Sequence, residues 1–214
     1  ENPLWHPDER RLYWEDIDGR KLLRYDPADG SSEVCLAGHT IGGFTLQADG
    51  ALLLFGDRGS VCRWSKQEGL STLIEDVPAE RHTRFNDVIA DPAGRVFCGT
   101  IATGADAGRL YRLDPDGSLT VMVEGVGVSN GMGFTPGGAE LYYSDSRVGT
   151  VSLFDYDAAT GDLSNRRTWY QAGDSEGRPD GLTVDAAGCV WTARWGGGCA
   201  VRHDALAGDR KSVV

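Results

Sequence analysis

Four oxygen-bearing residues recur at one point of a repeated pattern: Glu1, Asn86, Asn130 and Asp180. Their settings are Glu1-Asn2-Pro3, Arg84-Phe85-Asn86-Asp87, Ser129-Asn130-Gly131 and Arg178-Pro179-Asp180-Gly181, each just ahead of a short apolar stretch. Two carboxylates and two amides brought together make an all-oxygen donor set. Such a set suits a hard divalent cation such as calcium, magnesium or manganese. No histidine or thiolate joins them, so a structural zinc site is not indicated. The bland alternative is that these residues cap strands and turns, since Asn-Gly and Asp-Gly are frequent turn dipeptides. That account leaves their recurrence at one position of the repeat unexplained.

The elements that must position them follow from the repeat. Copies begin at Leu4, Phe44, Val88, Gly133 and Leu182, about every 40 to 50 residues, the spacing of a propeller blade. Each copy opens on a short strand and turns through a D-x-x-G-like segment such as Asp91-Pro92-Ala93-Gly94. A second strand carries aromatics, among them Tyr13, Trp14, Phe97, Tyr142, Tyr143 and Trp191. A third strand alternates, as in Leu110-Tyr111-Arg112-Leu113, and a weaker fourth ends the copy. Four antiparallel strands per copy, repeated radially, predict an all-β fold, a β-propeller of four-stranded blades with five blades visible. A β-sandwich is the alternative, and the regular period argues against it. In a propeller the first strands line the central channel, so the loops before them converge on one mouth. Gly177–Gly198 shows the pattern in full: an opening loop at Arg178–Gly181, two strands and a glycine cluster. The second copy departs from the rule, with Ile41-Gly42-Gly43 where a polar side chain is expected. Val77 to His82 could form one turn of helix, and the residues after Asp204 do not begin another blade.

Composition narrows the function. The 214 residues carry a net charge of −11 and include 30 glycines. So acidic a chain has no electrostatic footprint for nucleic acid or an anionic membrane, and neither is expected as a partner. No stretch has the ~20 apolar residues of a membrane helix and no signal peptide is visible. The five cysteines, Cys35, Cys62, Cys98, Cys189 and Cys199, form no C-x-x-C pair. An odd count without such a pair reads as reduced thiols and a cytoplasmic protein.

The ordered motifs resemble the gluconolactonase/regucalcin family, also called the senescence marker protein or luciferin-regenerating enzyme-like family. Glu1-Asn2-Pro3-Leu4-Trp5 resembles its E-G-P-x-W opening, and Tyr13-Trp14-Glu15-Asp16-Ile17 its W-x-D-I strand. Arg84-Phe85-Asn86-Asp87, Asp91-Pro92-Ala93-Gly94-Arg95 and Gly99-Thr100 resemble R-x-N-D, D-P-x-G-R and G-T. Ser129-Asn130-Gly131 and Leu141-Tyr142-Tyr143-Ser144-Asp145-Ser146 resemble S-N-G and L-Y-Y-x-D-S, while Pro179-Asp180-Gly181, Val184-Asp185 and Trp195-Gly196-Gly197 resemble P-D-G, V-D and W-G-G. The resemblance implies a propeller of six blades, and so a single domain over residues 1–214 that is cut short at both ends relative to the family. It implies that Glu1, Asn130 and Asp180 ligate one divalent metal, with calcium favoured over magnesium, manganese, zinc or iron. Asn86 would be a further ligand or a substrate contact, Arg84 would bind sugar hydroxyls, and Asp180 would also be the catalytic base. Asn2 stands where the family has glycine, and the family's contacts after Gly99-Thr100 find no match in Ala102 to Gly108.

The chemistry stands on its own terms. A bound cation polarises a lactone carbonyl, and a carboxylate beside it takes the proton of the attacking water. Together with the resemblance, this chemistry makes hydrolysis of a sugar lactone to its hydroxy acid the expected activity. The alternative is a propeller that binds a divalent metal or a sugar without turnover, and self-association is one way in which the ring could close. Arg84 has a rigid donor fork suited to vicinal hydroxyls, though it could equally hold a surface salt bridge. A Cys98–His82 thiol/base pair is set aside because Cys98 lies within a strand and reads as a buried structural thiol. Gly196-Gly197-Gly198 lacks the lysine and helix of a phosphate loop. Trp14, Trp191 and Trp195 read as blade packing, with Trp195 close enough to the channel to stack on a sugar.

Overall fold

The computed structural model describes residues 1–104, 106–204 and 210–213. Blade 1 comprises β1 (Leu4–His6), β2 (Arg11–Asp16), β3 (Lys21–Asp26) and β4 (Ser31–Ala37). Blade 2 comprises β5 (Ile41–Leu46), β6 (Leu52–Gly56), β7 (Val61–Ser65) and β8 (Gly69–Ile74). Blade 3 is built from β9 (Phe85–Ala90), β10 (Val96–Thr100), β11 (Gly108–Leu113) and β12 (Leu119–Val126). Blade 4 is built from β13 (Ser129–Phe134), β14 (Glu140–Asp145), β15 (Thr150–Tyr156) and β16 (Leu163–Gln171). Blade 5 holds β17 (Arg178–Val184), β18 (Val190–Trp195), β19 (Cys199–His203) and β20 (Arg210–Val213). Each blade is one four-stranded antiparallel sheet in sequence order. The chain is thus an all-β propeller. Five blades are described; the sixth that the resemblance implies is not among the described residues. Past Asp204, Arg210–Val213 supplies the outer strand of blade 5.

The turns follow from local chemistry. In Asp91–Gly94 the aspartate Oδ1 accepts from the main-chain N–H of Ala93 at 2.8 Å and Arg95 at 2.9 Å. Gly94 closes the turn at φ 84°, a conformation that favours glycine. Asp185 repeats the arrangement with the N–H groups of Ala187 and Cys189, both at 2.9 Å. A 3-10 turn at Pro78–Glu80 lies inside the expected helical segment.

The core lies between blades. Successive residues of a second strand face opposite neighbours: Cys98 packs with Phe55 and Phe85 toward blade 2, while Phe97 packs with Leu141 and Tyr143 toward blade 4. Tyr13, Ile41, Phe44 and Trp64 join blades 1 and 2. Tyr142, Val151 and Val190 join blades 4 and 5. Burial on both faces is why the second strands β6 and β10 are nearly continuously apolar. The outer strands β4 and β8 are largely exposed, which explains their weak pattern. All five cysteines are free, and burial pushes the Cys98 thiol well up, as expected of an inert one.

Candidate functional site

A distortion repeated in the first strands builds the site. Phe85 pairs with Thr100 and Val88 with Cys98, so Asn86 and Asp87 together face one residue. Ser129 pairs with Asp145 and Met132 with Tyr143, which leaves Asn130 and Gly131 in the same position. Pro179 pairs with Arg194 and Leu182 with Thr192, which leaves Asp180 and Gly181. These are bulges, which re-aim side chains and break the ladder locally. The expected opening loops are therefore strand, because Arg178, Pro179 and Ser129 already pair with their second strands and the bulged residues lie within β17 and β13.

Blade 1 corrects one expectation. Glu1 exchanges main-chain hydrogen bonds with Glu15, at 2.6 and 3.2 Å, and Leu4 pairs with Tyr13. The residues left over are Asn2 and Pro3. In register, then, Asn2 is the counterpart of Asn86, Asn130 and Asp180, and Glu1 stands one residue earlier. Its side chain is a methylene longer than aspartate, and it still lines the central cavity. Asn2 has φ 49°, which accounts for the glycine expected there; asparagine is among the few other residues that tolerate it. Blade 2 departs as the sequence indicated. A Cβ on Gly42 would lie 2.0 Å from the Phe85 carbonyl oxygen, so no side chain fits.

The first strands surround a cavity of about 890 Å³. Glu1, Glu15, Asn86, Asp87, Asn130 and Asp180 line it, and no lysine or arginine does among the described residues. Asn130 Nδ2 donates to Asp180 Oδ1 and, at 3.1 Å, to Ser146 Oγ. Ser146 in turn donates to the Pro179 carbonyl at 2.6 Å, locking blade 4 to blade 5. Asn86 is buried, 6% exposed, and its amide is engaged at both ends. Its Nδ2 donates to the Ser129 carbonyl at 2.7 Å, and its Oδ1 accepts from Arg84 Nη1 at 2.6 Å. Arg84 Nη1 also donates to the Phe85 carbonyl at 2.9 Å. Arg84 makes no ion pair among the described residues, which removes the salt-bridge alternative. It lines an adjoining cavity of about 570 Å³ together with Glu1, Trp14 and Glu15.

The electrostatics mark the mouth. Burial, then the charge of Glu1, raises the Asp180 carboxyl, while the Asn130 hydrogen bond lowers it. Burial raises Asp87 to about 6, with the charges of Asp180 and Glu1 adding to it. Burial raises Glu15 to about 9; the terminal amine opposes this, and Asp87 and Glu1 reinforce it. Carboxylates that raise one another, with only the terminal amine opposing them and no lysine or arginine in the cavity lining among the described residues, form a site short of positive charge.

Sequence reasoning missed Glu15, Asp87 and Ser146. The signal for Glu15 was its place two residues after Tyr13 on one strand, hence on the same buried face. Trp195 is corrected: it is 72% exposed and lines neither cavity. Trp191 lines the central cavity instead, its indole N–H donating to Asp185 at 3.0 Å. Cys98 and His82 do not pair, since Cys98 is buried while His82 is exposed.

A cation fits the oxygens present. Glu1 and Asp180 are coupled carboxylates, and the Asn130 carbonyl oxygen accepts no hydrogen bond among the described residues. No three His, Cys, Asp or Glu residues among those described form a ligand cluster by themselves. The set therefore depends on the asparagine amide. Among the described residues no helix is long and apolar enough to cross a membrane.

Similar known proteins place the chain. Pentonolactonase XacC of Haloferax volcanii is 49% identical over 208 residues, covering 96% of this chain and 69% of that protein. Human regucalcin is 33% identical over 224 residues, covering all of this chain and 74% of that protein. The crystal structure of a calcium-binding protein, regucalcin, from Agrobacterium tumefaciens superposes with a TM-score of 0.91 at 25% identity, covering 100% of this chain and 72% of that one. The gluconolactonase XC5397 of Xanthomonas campestris gives a TM-score of 0.85 at 26% identity, covering 100% and 75%. The family model for the SMP-30/Gluconolactonase/LRE-like region matches residues 1–213, and the chain belongs to that family.

Proposed function

We propose that this chain hydrolyses a sugar lactone to its hydroxy acid at the cavity mouth, with one divalent cation held by Glu1, Asn130 and Asp180. The observation that carries the reading is the pairing of a raised, partly buried Asp180 with Glu1 and Asn130 in a cavity lined, among the described residues, by no cationic side chain. The lactone class is supported by the pentonolactonase and gluconolactonase relatives, and calcium by the calcium-binding regucalcin.

The cation, when bound, polarises the lactone carbonyl and relieves the repulsion among the mouth carboxylates. The residues do the rest. Asp180 Oδ1 is held by Asn130, which leaves Oδ2 to take the proton of the attacking water. The acyl C–O bond of the ring then breaks and the ring oxygen leaves as a hydroxyl, taking up that proton. Arg84 keeps Nε and Nη2 for sugar hydroxyls, since its Nη1 is fixed on Asn86 and Phe85. Asn86, braced between Arg84 and Ser129, positions that guanidinium.

The test is acid release from gluconolactone and from pentonolactones at constant pH, with wild type and Asp180→Asn. Turnover by the wild type and its loss in a folded variant are expected. Normal turnover by Asp180→Asn contradicts the reading. Cation binding without turnover on any lactone favours a binding propeller.

A further inference from the structure

Glu15 and Asp87 are the cavity carboxyls that the proposed reaction does not use, and of the two Glu15 is the more buried. It lies on β2, 1% exposed, on the same face as the buried Tyr13. Neither carboxyl oxygen has a hydrogen-bond partner among the described residues. Both the central cavity and the adjoining one that holds Arg84 are lined by it.

Its position answers the gap in blade 2. The first strand of every other blade brings a polar side chain to the mouth, whereas blade 2 brings Gly42 and Gly43. A Cβ on Gly42 would also come 3.0 Å from Arg84 Nη1, so the glycine keeps a hollow beside that guanidinium. Glu15 reaches this region from the second strand of blade 1. An apolar side chain of similar size would pack there without leaving polar atoms unsatisfied. A buried carboxyl with two unpartnered oxygens, lining the same cavity as the Arg84 guanidinium with its remaining Nε and Nη2 donors, is a receptor for neighbouring hydroxyl groups. A hydroxylated ligand satisfies it, and a bare ring leaves it orphaned.

We propose that Glu15 is a specificity-determining residue that hydrogen-bonds a hydroxyl of a polyhydroxylated lactone and so disfavours lactones lacking hydroxyls. The inference rests on the lactonase reading. Steady-state kinetics of wild type, Glu15→Leu and Glu15→Gln on gluconolactone and on δ-valerolactone, the same ring without hydroxyls, test it. Glu15→Leu is expected to lower kcat/KM on gluconolactone about tenfold or more, chiefly through KM, and to leave δ-valerolactone within about twofold. Glu15→Gln, which keeps a hydrogen-bonding group, recovers most of the loss. Circular dichroism and calcium calorimetry on the same proteins should show an unchanged fold and unchanged cation affinity. Equal losses on both lactones, no loss on gluconolactone, or weakened cation binding would overturn the inference while leaving the lactonase reading intact. A wild type inert towards both lactones would overturn both.

Discussion

Asp87 and Asp91 stand four residues apart in blade 3, and their surroundings are opposite. Asp91 closes the turn after β9. Its Oδ2 accepts from Arg95 Nε at 2.5 Å and from the Tyr156 hydroxyl at 2.6 Å, while its Oδ1 accepts two main-chain N–H groups. Arg95 in turn donates to the Ala158 carbonyl at 2.6 Å, so the cluster fastens blade 3 to blade 4. Burial alone would raise the Asp91 carboxyl; these hydrogen bonds and the Arg95 charge outweigh it and hold it below the usual carboxylate range. Asp87, at the other end of the same strand, accepts one hydrogen bond, from Val88, and faces Asp180 and Glu1. Its carboxyl is raised to about 6. One end of the propeller is electrostatically finished and carries stability. The other is left unbalanced, as expected of a site that waits for a ligand.

The comparison is sharpened first by Asp180→Asn, with the largest expected effect. Removing the proton acceptor lowers lactone turnover by roughly 10²–10⁴-fold. Thermal melts in the presence of chelator should show unchanged or raised stability, because one of the mutually repelling carboxylates is gone. Asp91→Ala reverses the pattern. It strands Arg95 in a buried site and should destabilise by about 3–5 kcal/mol in urea unfolding, with turnover per folded molecule preserved.

The pH dependence follows from opposite signs. Asp91, lowered in the fold, contributes stability above the ordinary aspartate value, and this is lost as pH falls through its lowered folded value. Glu15, raised to about 9, binds a proton in the fold that the unfolded chain has released. Its contribution therefore declines as pH rises from the ordinary glutamate range toward about 9. Glu15→Gln should flatten that decline in chelator-treated protein, measured by urea melts across the range. Asp91→Asn should instead flatten the acid limb. Smallest of all is Asn2→Gly. It relieves a left-handed backbone but removes the 3.3 Å contact from Asn2 Nδ2 to the Phe44 carbonyl, so stability should change by less than about 1 kcal/mol.

What was legible in the sequence was local. The Asp91–Gly94 and Asp185–Gly188 turns are written in adjacent residues, and their spacing fixes the blade period. The strand pairs then follow, as does the convergence of Asn86, Asn130 and Asp180. The register was not legible. A bulge depends on which partner each residue meets, and only the Glu1–Glu15 and Leu4–Tyr13 pairs show that Asn2, not Glu1, is the bulged residue of blade 1. Glu15 was hidden for a related reason. A carboxylate within a strand motif reads as solvated until its neighbours in space close over it. Trp195 was misplaced because sequence distance to the glycine cluster says nothing about which face of β18 meets the channel.

The central claim is that Glu1, Asn130 and Asp180 hold a divalent cation needed to open a sugar lactone. The most direct measurement is the rate of gluconolactone hydrolysis by chelator-treated protein, before and after calcium, magnesium or manganese is added back. The account predicts little turnover without metal and recovery on saturating one site per chain. Full turnover in the metal-free protein would contradict it.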